Sequence, residues 1–369
     1  MKQTTVEKTN VRDRIRKIEG RFEVLRTILA IAISLIIILA LVFFVSDEPL
    51  NVVYNLFVGP LTSVRRFGSV IEIMIPLMFT GLAIAITFSA NRFNLISESS
   101  FHFGAITAAY IGIFSPFSAP LTILLILLSS ILIGGLLGYV PALLEEKFNA
   151  SVLVNSLMLN YVISHFANYI LNNVIRDRSS SAIQSLPLPE GVNLGELVSR
   201  TRIHWGLIIA LVIVFLAYIV IDKTRWGYSL KAVGRNEKFA RYAGINVGMV
   251  TILAQVVGSS IAGLGGAVEM LGIYDHYLWT SSPGYGFDGV IIAALARNKP
   301  KYIPLAAFFL AYIRAGADVM NRSTDVPAEI VSVIQAIIIV LIASQAFLSK
   351  WKQKQIIKVS QEADMKGAA

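Results

Sequence analysis

Apolar positions along this chain come in long unbroken runs separated by short polar segments. They show neither the strict alternation of half-buried strands nor the one-sided stripe of surface helices. A helix needs about 20 mostly apolar residues to cross a bilayer. Runs of that character lie near 27–45, 69–89, 101–115, 120–142, 152–172, 204–222, 249–272, 286–297, 302–320 and 327–348. The third and eighth are too short to cross alone as straight helices. The pattern predicts an all-α membrane protein of about ten transmembrane helices, with a membrane domain over 27–348 between an N-terminal segment, 1–26, and a C-terminal tail, 349–369. With 27–45 set aside and 204–222 between them, the blocks 69–172 and 249–348 repeat one plan. Each has a long apolar helix, a polar kink ("SANRFNLISESS", 89–100; "YDHYLWTSSPGYGFDG", 274–289), a short helix and two more apolar runs. The first block starts on the outer side and the second on the inner, the arrangement of inverted repeats, which place transport pathways at their interface.

Composition agrees with a lipid environment. Of 369 residues, 55% are hydrophobic and 15% charged, with a mean hydropathy of +0.68, where soluble domains carry about 25% charged residues. The first 26 residues are charged and lack a small-residue cleavage site, so 27–45 reads as a retained span. Cysteine is absent, which excludes disulfides, thiolate metal sites and cysteine nucleophiles. The net charge of +9 is explained by orientation. With the N-terminus inside, 24 of the 32 Lys and Arg fall in inner segments, as the positive-inside rule requires. Both termini and the segment 223–248 are then cytoplasmic, and nucleic acid is not needed as a partner. The outer segment 173–203 reads as an ordered loop or a short surface helix; docking surface and simple connector both stay open.

Polar groups at bilayer depth are candidates for function. Glu72, Asn155, Asn160, His165, Glu269, Asp288, Arg314, Asp318 and Gln335 fall in or at the edges of spans. Asn160 and Gln335 either line a polar path or hydrogen-bond between helices. Arg314, with Gly316 and Asp318 beside it, points to a helix end facing a polar cavity. The four histidines are scattered, and no metal-ligand spacing or G-x-S-x-G elbow is present. "IGGLLG" (133–138) and "GSSIAGLGGAV" (258–268) read as small-residue faces for close helix packing. Neither matches G-x-x-x-x-G-K-[ST], and no P-loop occurs in the chain.

The stretch "GYSLKAVGRNEKFARYAGINV" (227–247) carries helix punctuation between two lipid-like runs. Asn236 is placed to cap a helix, Glu237 lies in its first turn, Glu237 and Arg241 are i,i+4 partners, and Gly244 can end it in a left-handed turn. A helix of about two turns is not stable alone. Its aromatic face (Phe239, Tyr242) and basic rim (Lys231, Arg235, Lys238, Arg241) suit either a groove on a partner or a surface of anionic lipid.

That stretch resembles the cytoplasmic coupling segment of permease subunits of ABC importers of the branched-chain amino acid, ribose and nucleoside group. "SLMLNYV" (156–162), "GYGFDGVIIAALARNKP" (284–300), "FLAYIRAGADVM" (309–320) and "VPAEIVSVIQAIIIVL" (326–341) resemble, in order, landmarks of the nucleoside subgroup, over roughly 65–345. The resemblance implies a ten-helix permease in the cell membrane. It would pair with a second permease, as a heterodimer, with cytoplasmic ATPase subunits and with an external substrate-binding lipoprotein. The chain itself would be no enzyme and bind no cofactor, ATP being used by the partner ATPase. It also implies an ATPase-gripping helix built from Gly234, Arg235, Asn236, Glu237, Phe239, Arg241, Tyr242, Ala243 and Gly244. Candidates for the path of a nucleoside-like substrate are Glu98, Asn155, Asn160, Asp288, Arg314 and Gln335. Ribose-type sugars or branched-chain amino acids are the alternative substrates. Ion-coupled secondary transport is a further alternative, for which Glu72 and Glu269 are the deep carboxylates. One departure stands out. Members usually carry "FNIGAEGQ" where this chain reads "FNLISESS" (93–100), keeping Glu98 but losing the glycines.

Overall fold

The computed structural model describes residues 48–327 continuously, with positions 33, 36, 37, 40, 42, 43, 46, 330, 333, 336 and 337 besides. The expected spans 27–45 and 327–348 therefore lie mostly outside the described residues. So do Gln335, both terminal segments and the side of the membrane each terminus occupies. The chain forms two compact units, one of residues 57–316, the other of residues up to 56 and from 317. In the second of these, the Ser46 hydroxyl donates to Asp325 at 2.6 Å and accepts from the Glu48 amide, bracing the start of α1 (Pro49–Phe57).

The described residues are all-α. The longer helices follow the apolar runs: α2 (Val64–Ser89), α3 (Ser97–Phe114), α4 (Ala119–Phe148), α5 (Val152–Asn173) and α6 (Gly206–Lys223). After α7 (Arg225–Arg235) and α8 (Glu237–Tyr242) come α9 (Val247–Ile273), α10 (Tyr285–Leu295) and α11 (Ile303–Ser323). Local chemistry sets many of their ends. Ser63 caps α2 by accepting from the Arg66 amide, Asn246 caps α9 at Met249, and α4 stops where Asn149 turns left-handed, at φ 51°.

Five helices among the described residues are long and apolar enough to cross a membrane, including α2, α4, α6, α9 and the stretch Pro300–Ser323. Of the other expected spans, α3 opens on the polar run Ser97–Ser100, α5 carries several asparagines, and α10 has only 11 residues. The break expected near Gly316 is absent, and α11 continues through it to Ser323.

Contacts at the helix ends sort the connecting segments into two groups. One end gathers residues 89–96, 145–156, 223–247 and 297–298. There Arg92 reaches Glu145 and Glu237, Ser156 accepts from the Leu95 amide, and the Ser89 hydroxyl points to the Asn298 carbonyl at 3.5 Å. The opposite end gathers 175–206 and 271–282, where Leu188, Leu194 and Ser185 donate their amides to Asp275, Leu271 and Tyr277. The segment 173–203 takes the ordered-loop form. Its only extended pairings are the isolated bridges Arg176–Ser185 and Glu196–His204, and Ser185 and Val192 are buried. At its tip, the Ser179 hydroxyl and amide donate to Asp177 and hold that carboxyl below its usual range.

α9 is the axis of the fold, packed against α2, α3 and α4. It runs antiparallel to α2, since Gly258 meets Ala83 while Gly265 meets Phe79, and antiparallel to α4, since Gln255 reaches Glu145 while Gly263 meets Ser130. It runs in the same sense as α3, from Gln255 beside Asn94 to Gly263 beside Gly104. Small residues let these backbones touch. A Cβ on Gly134 would lie 2.5 Å from the Ser259 carbonyl, and one on Gly263 would lie 3.0 Å from the Gly134 Cα. "IGGLLG" and "GSSIAGLGGAV" thus face each other across one seam, the small-residue packing that favours helix association in lipid. Gly263→Leu must part α4 from α9, with an overpacking cost of about 1–3 kcal/mol. It is expected to lower the thermal unfolding midpoint in detergent, whereas Leu132→Phe on the exposed face of α4 should leave it near the parent value.

Candidate functional site

Two features stand out inside the 57–316 unit: a crossing of two short helices and the helix pair at one end.

The crossing is made where α3 and α10 begin. Residues 274–284 bring the chain back over the start of α3, and Gly284, at φ +87°, turns it into α10. A left-handed residue there favours glycine. The Glu98 carboxylate, 1% exposed, accepts from the Gly284 amide at 2.7 Å with one oxygen and from the Gly286 amide at 2.6 Å with the other. The first amides of a helix have no partner within it, and a negative charge is favoured at that end. Glu98 supplies both requirements from the first turn of α3. Gly286 is needed for a different reason, because a side chain there would run into the Glu98 backbone. The 11 residues of α10 rise about 16 Å, roughly half a hydrocarbon core, and its Gly289 packs on Thr80, near the middle of the membrane-length helix α2. The crossing therefore lies at depth.

Around it, Phe101 stacks on Trp279 at 5.9 Å between ring centroids and meets Tyr285 at 5.1 Å, while His102 stacks on Tyr277. The Tyr285 hydroxyl points to buried Glu269 at 3.5 Å, and Glu72 pairs with Arg202 at 3.6 Å. Asp288, in the first turn of α10, forms a 2.6 Å ion pair with Arg314. Arg314 thus pairs across helices from within α11, instead of marking a helix end. Asn160 accepts from the Ser99 hydroxyl at 2.6 Å and donates to the Leu95 carbonyl at 3.0 Å, so it bonds between helices. The Asn155 amide nitrogen lies buried on α5 without a partner among the described residues. The hydroxyls of Ser97 and Ser100 and Nε2 of His102 are likewise buried without one. In "FNLISESS" no residue has a positive φ among the described backbone exceptions, and Ser97–Ser100 already lie in α3. Serines fit where glycine's freedom is not used.

At the other feature, Thr224 caps α7 by accepting from the Gly227 amide. Asn236 separates α7 from α8 and accepts from the Phe239 amide at 2.9 Å. Arg241 pairs with Glu237 at 3.3 Å. After Ala243, Gly244 turns at φ +79° and the Ile245 amide closes on the Ala240 carbonyl. Leu230, Val233 and Ala240 face inward, and Gly234 packs onto the Ser89 carbonyl. Arg235 is exposed, as are Phe239 at 61% and Tyr242 at 92%, so this pair presents a bare aromatic edge. The residues behind it were not among the sequence candidates. Arg92 bridges Glu145 at 2.6 Å and Glu237 at 3.1 Å. In sequence Arg92 and Glu145 stand out only as charges at the ends of apolar runs, and Gln255 as an amide within one.

The family model for the permease component of the branched-chain amino acid transport system matches residues 67–343. The chain belongs to that family. It is 31% identical over 310 residues to the guanosine ABC transporter permease protein NupP of Bacillus subtilis, covering 83% of this chain and 89% of the relative. Against the nucleoside ABC transporter permease protein NupB of Lactococcus lactis it is 29% identical, over 85% and 89% of the two chains. Against the glucose ABC transporter permease protein TsgB13 of Haloferax volcanii it is 27% identical, over 89% and 88%. As an ABC permease with several apolar helices, the chain is a multi-pass membrane protein, and its relatives are transport subunits, not enzymes.

The Glu98 cap gives a direct test. Glu98→Gln leaves one carbonyl oxygen for two amides and turns an N–H toward the second. An unsatisfied buried donor costs about 1–3 kcal/mol. Both Glu98→Gln and Glu98→Ala are expected to lower the unfolding midpoint in detergent and to reduce uptake; a Gln variant as stable as the parent would show that the two amides do not depend on the carboxylate.

Proposed function

We propose that this ABC permease subunit imports nucleosides across the cell membrane, forming half of the translocation pathway beside a second permease, in a heterodimer. The end that holds Arg92, Lys147 and the α7–α8 pair faces the cytoplasm. There two ATPase subunits bind and hydrolyse the ATP; an external lipoprotein delivers substrate to the opposite end. The observation that carries the coupling role is the capped helix Glu237–Tyr242, held from behind by Arg92 and Ala240 and bare in front at Phe239 and Tyr242. A six-residue helix needs a surface to lean on, and aromatic residues with a basic rim are the usual anchors of a protein interface. The nucleoside reading is supported by two nucleoside-class relatives aligned over more than four-fifths of this chain. The clustered rings of Phe101, Trp279 and Tyr285 at the half-helix crossing are also suited to a heteroaromatic base. Closure of the ATPase dimer would push α8, tilt the repeats and turn the crossing from outward to inward access, with Glu98, Asn155, Asn160, Asp288 and Arg314 near the path. A glucose permease of comparable coverage makes sugar the second reading.

Two measurements test this. In vesicles holding the whole transporter, guanosine and other purine and pyrimidine nucleosides are expected to compete for uptake. Competition by glucose, ribose or leucine alone removes the nucleoside assignment. Phe239→Ala with Tyr242→Ala is expected to weaken ATPase binding by about 2 kcal/mol or more, the scale of buried aromatic anchors, as read by titrating the ATPase onto the permease. Unchanged affinity removes the docking role.

A further inference from the structure

The α8 helix is linked to the residue before α3 by a line of ion pairs and hydrogen bonds that starts at Arg92 and ends at the Ile96 backbone amide. Arg92 sits in the turn after α2. Its Nε lies 2.6 Å from one oxygen of Glu145 on α4, and its Nη2 lies 3.1 Å from Glu237 on α8. The other Glu145 oxygen accepts from the Gln255 amide nitrogen on α9 at 3.1 Å. The Gln255 carbonyl oxygen accepts from Asn94 at 2.7 Å, and the Asn94 oxygen accepts from the Ile96 amide at 2.9 Å. Ile96 is the residue before α3, two positions from Glu98. The turn is gripped on its other side by α5, through Ser156 at the Leu95 amide and Asn160 at the Leu95 carbonyl and the Ser99 hydroxyl.

Chemistry gives this line a direction. A carboxylate only accepts hydrogen bonds, so Glu145 dictates which way the Gln255 amide faces. Gln255 in turn dictates the orientation of Asn94. Asn94 and Gln255 are fully buried, where such bonds are strengthened and a misplaced donor is costly. Arg92 is the cation that holds the Glu145 and Glu237 carboxylates together, and Arg241 pairs with Glu237 at i,i+4. Its planar fork holds two carboxylates at once, which a lysine cannot do in the same geometry.

We infer that Arg92 is a positioning residue through which displacement of α8 is passed to the Asn94–Ile96 turn, and so to the Glu98 crossing that opens or closes the path. This rests on the reading that α8 meets the ATPase. Because the chain contains no cysteine, a single Lys238→Cys, at an exposed position of α8 beside the aromatic anchors, reports that contact by cross-linking to the ATPase. The test measures substrate carried per ATP hydrolysed by the complete transporter in vesicles, with Arg92→Gln, Arg92→Lys, Glu237→Gln and the Arg92→Gln/Glu237→Gln pair. Site-to-site couplings are typically 5- to 150-fold. Arg92→Gln is expected to lower the ratio about tenfold while the Lys238→Cys cross-link still forms, and Arg92→Lys to recover part of it. The double variant should fall no further than Arg92→Gln, as for two residues acting through one contact. An intact cross-link with an unchanged ratio overturns the role of Arg92 alone, as does a double variant whose losses multiply. Absence of the cross-link in the otherwise unaltered chain overturns the docking reading and the relay with it.

Discussion

At the depth where α10 begins, its first amides have neither preceding helix nor bulk water to bond. Glu98 accepts from two of them with its two carboxylate oxygens, and much of the architecture follows from that constraint. A helix that starts inside the bilayer needs an acceptor of high capacity at its N-terminus, and a carboxylate is the side chain that accepts most. Since Glu98 lies in the first turn of α3, the two short helices are obliged to begin side by side. Gly284 supplies the turn and Gly286 the clearance. The loop 274–284 must then lie across α3, which is why Trp279 and Tyr277 stack on Phe101 and His102.

Such a crossing is only as firm as the helices around it. Seams of glycine and serine along α9 bring it close to α2, α3 and α4, where dispersion contacts and tight packing replace the hydrophobic drive that lipid does not provide. Around this core the ends divide by character. One carries the Arg92–Glu145–Glu237 cluster and the aromatic edge of α8; the other carries the ordered loop 173–203, pinned by backbone bonds to 271–277. The polar line from Arg92 to Ile96 lies between the first end and the crossing, and Ser99 of "FNLISESS" ties the same turn to α5 through Asn160.

Features that depend on neighbours in the chain were readable from sequence. The cap at Asn236, the left-handed stop at Gly244 and the Glu237–Arg241 pair are local and recur in the structure. The lipid-length runs and the small-residue faces were readable too, because a helical period places those residues on one side. The partners of Glu98, Asp288, Arg92 and Gln255 were not. Each bond joins residues more than 25 positions apart, and a carboxylate in an apolar run has the same appearance whether it caps a helix or lines a path.

The sequence by itself determined that the chain is helical and built for a bilayer, that its basic residues segregate to alternate segments, and that 236–244 is a punctuated helix. These follow from side-chain transfer energies and local hydrogen bonding, which act over a few turns of chain. Only the tertiary structure decided that Glu98 caps α10, that Arg314 answers Asp288 from mid-helix, and that Arg92 ties α4 to α8. Those outcomes belong to buried polar groups. A buried donor or acceptor must find a partner wherever the packed helices bring one, and sequence separation does not constrain which.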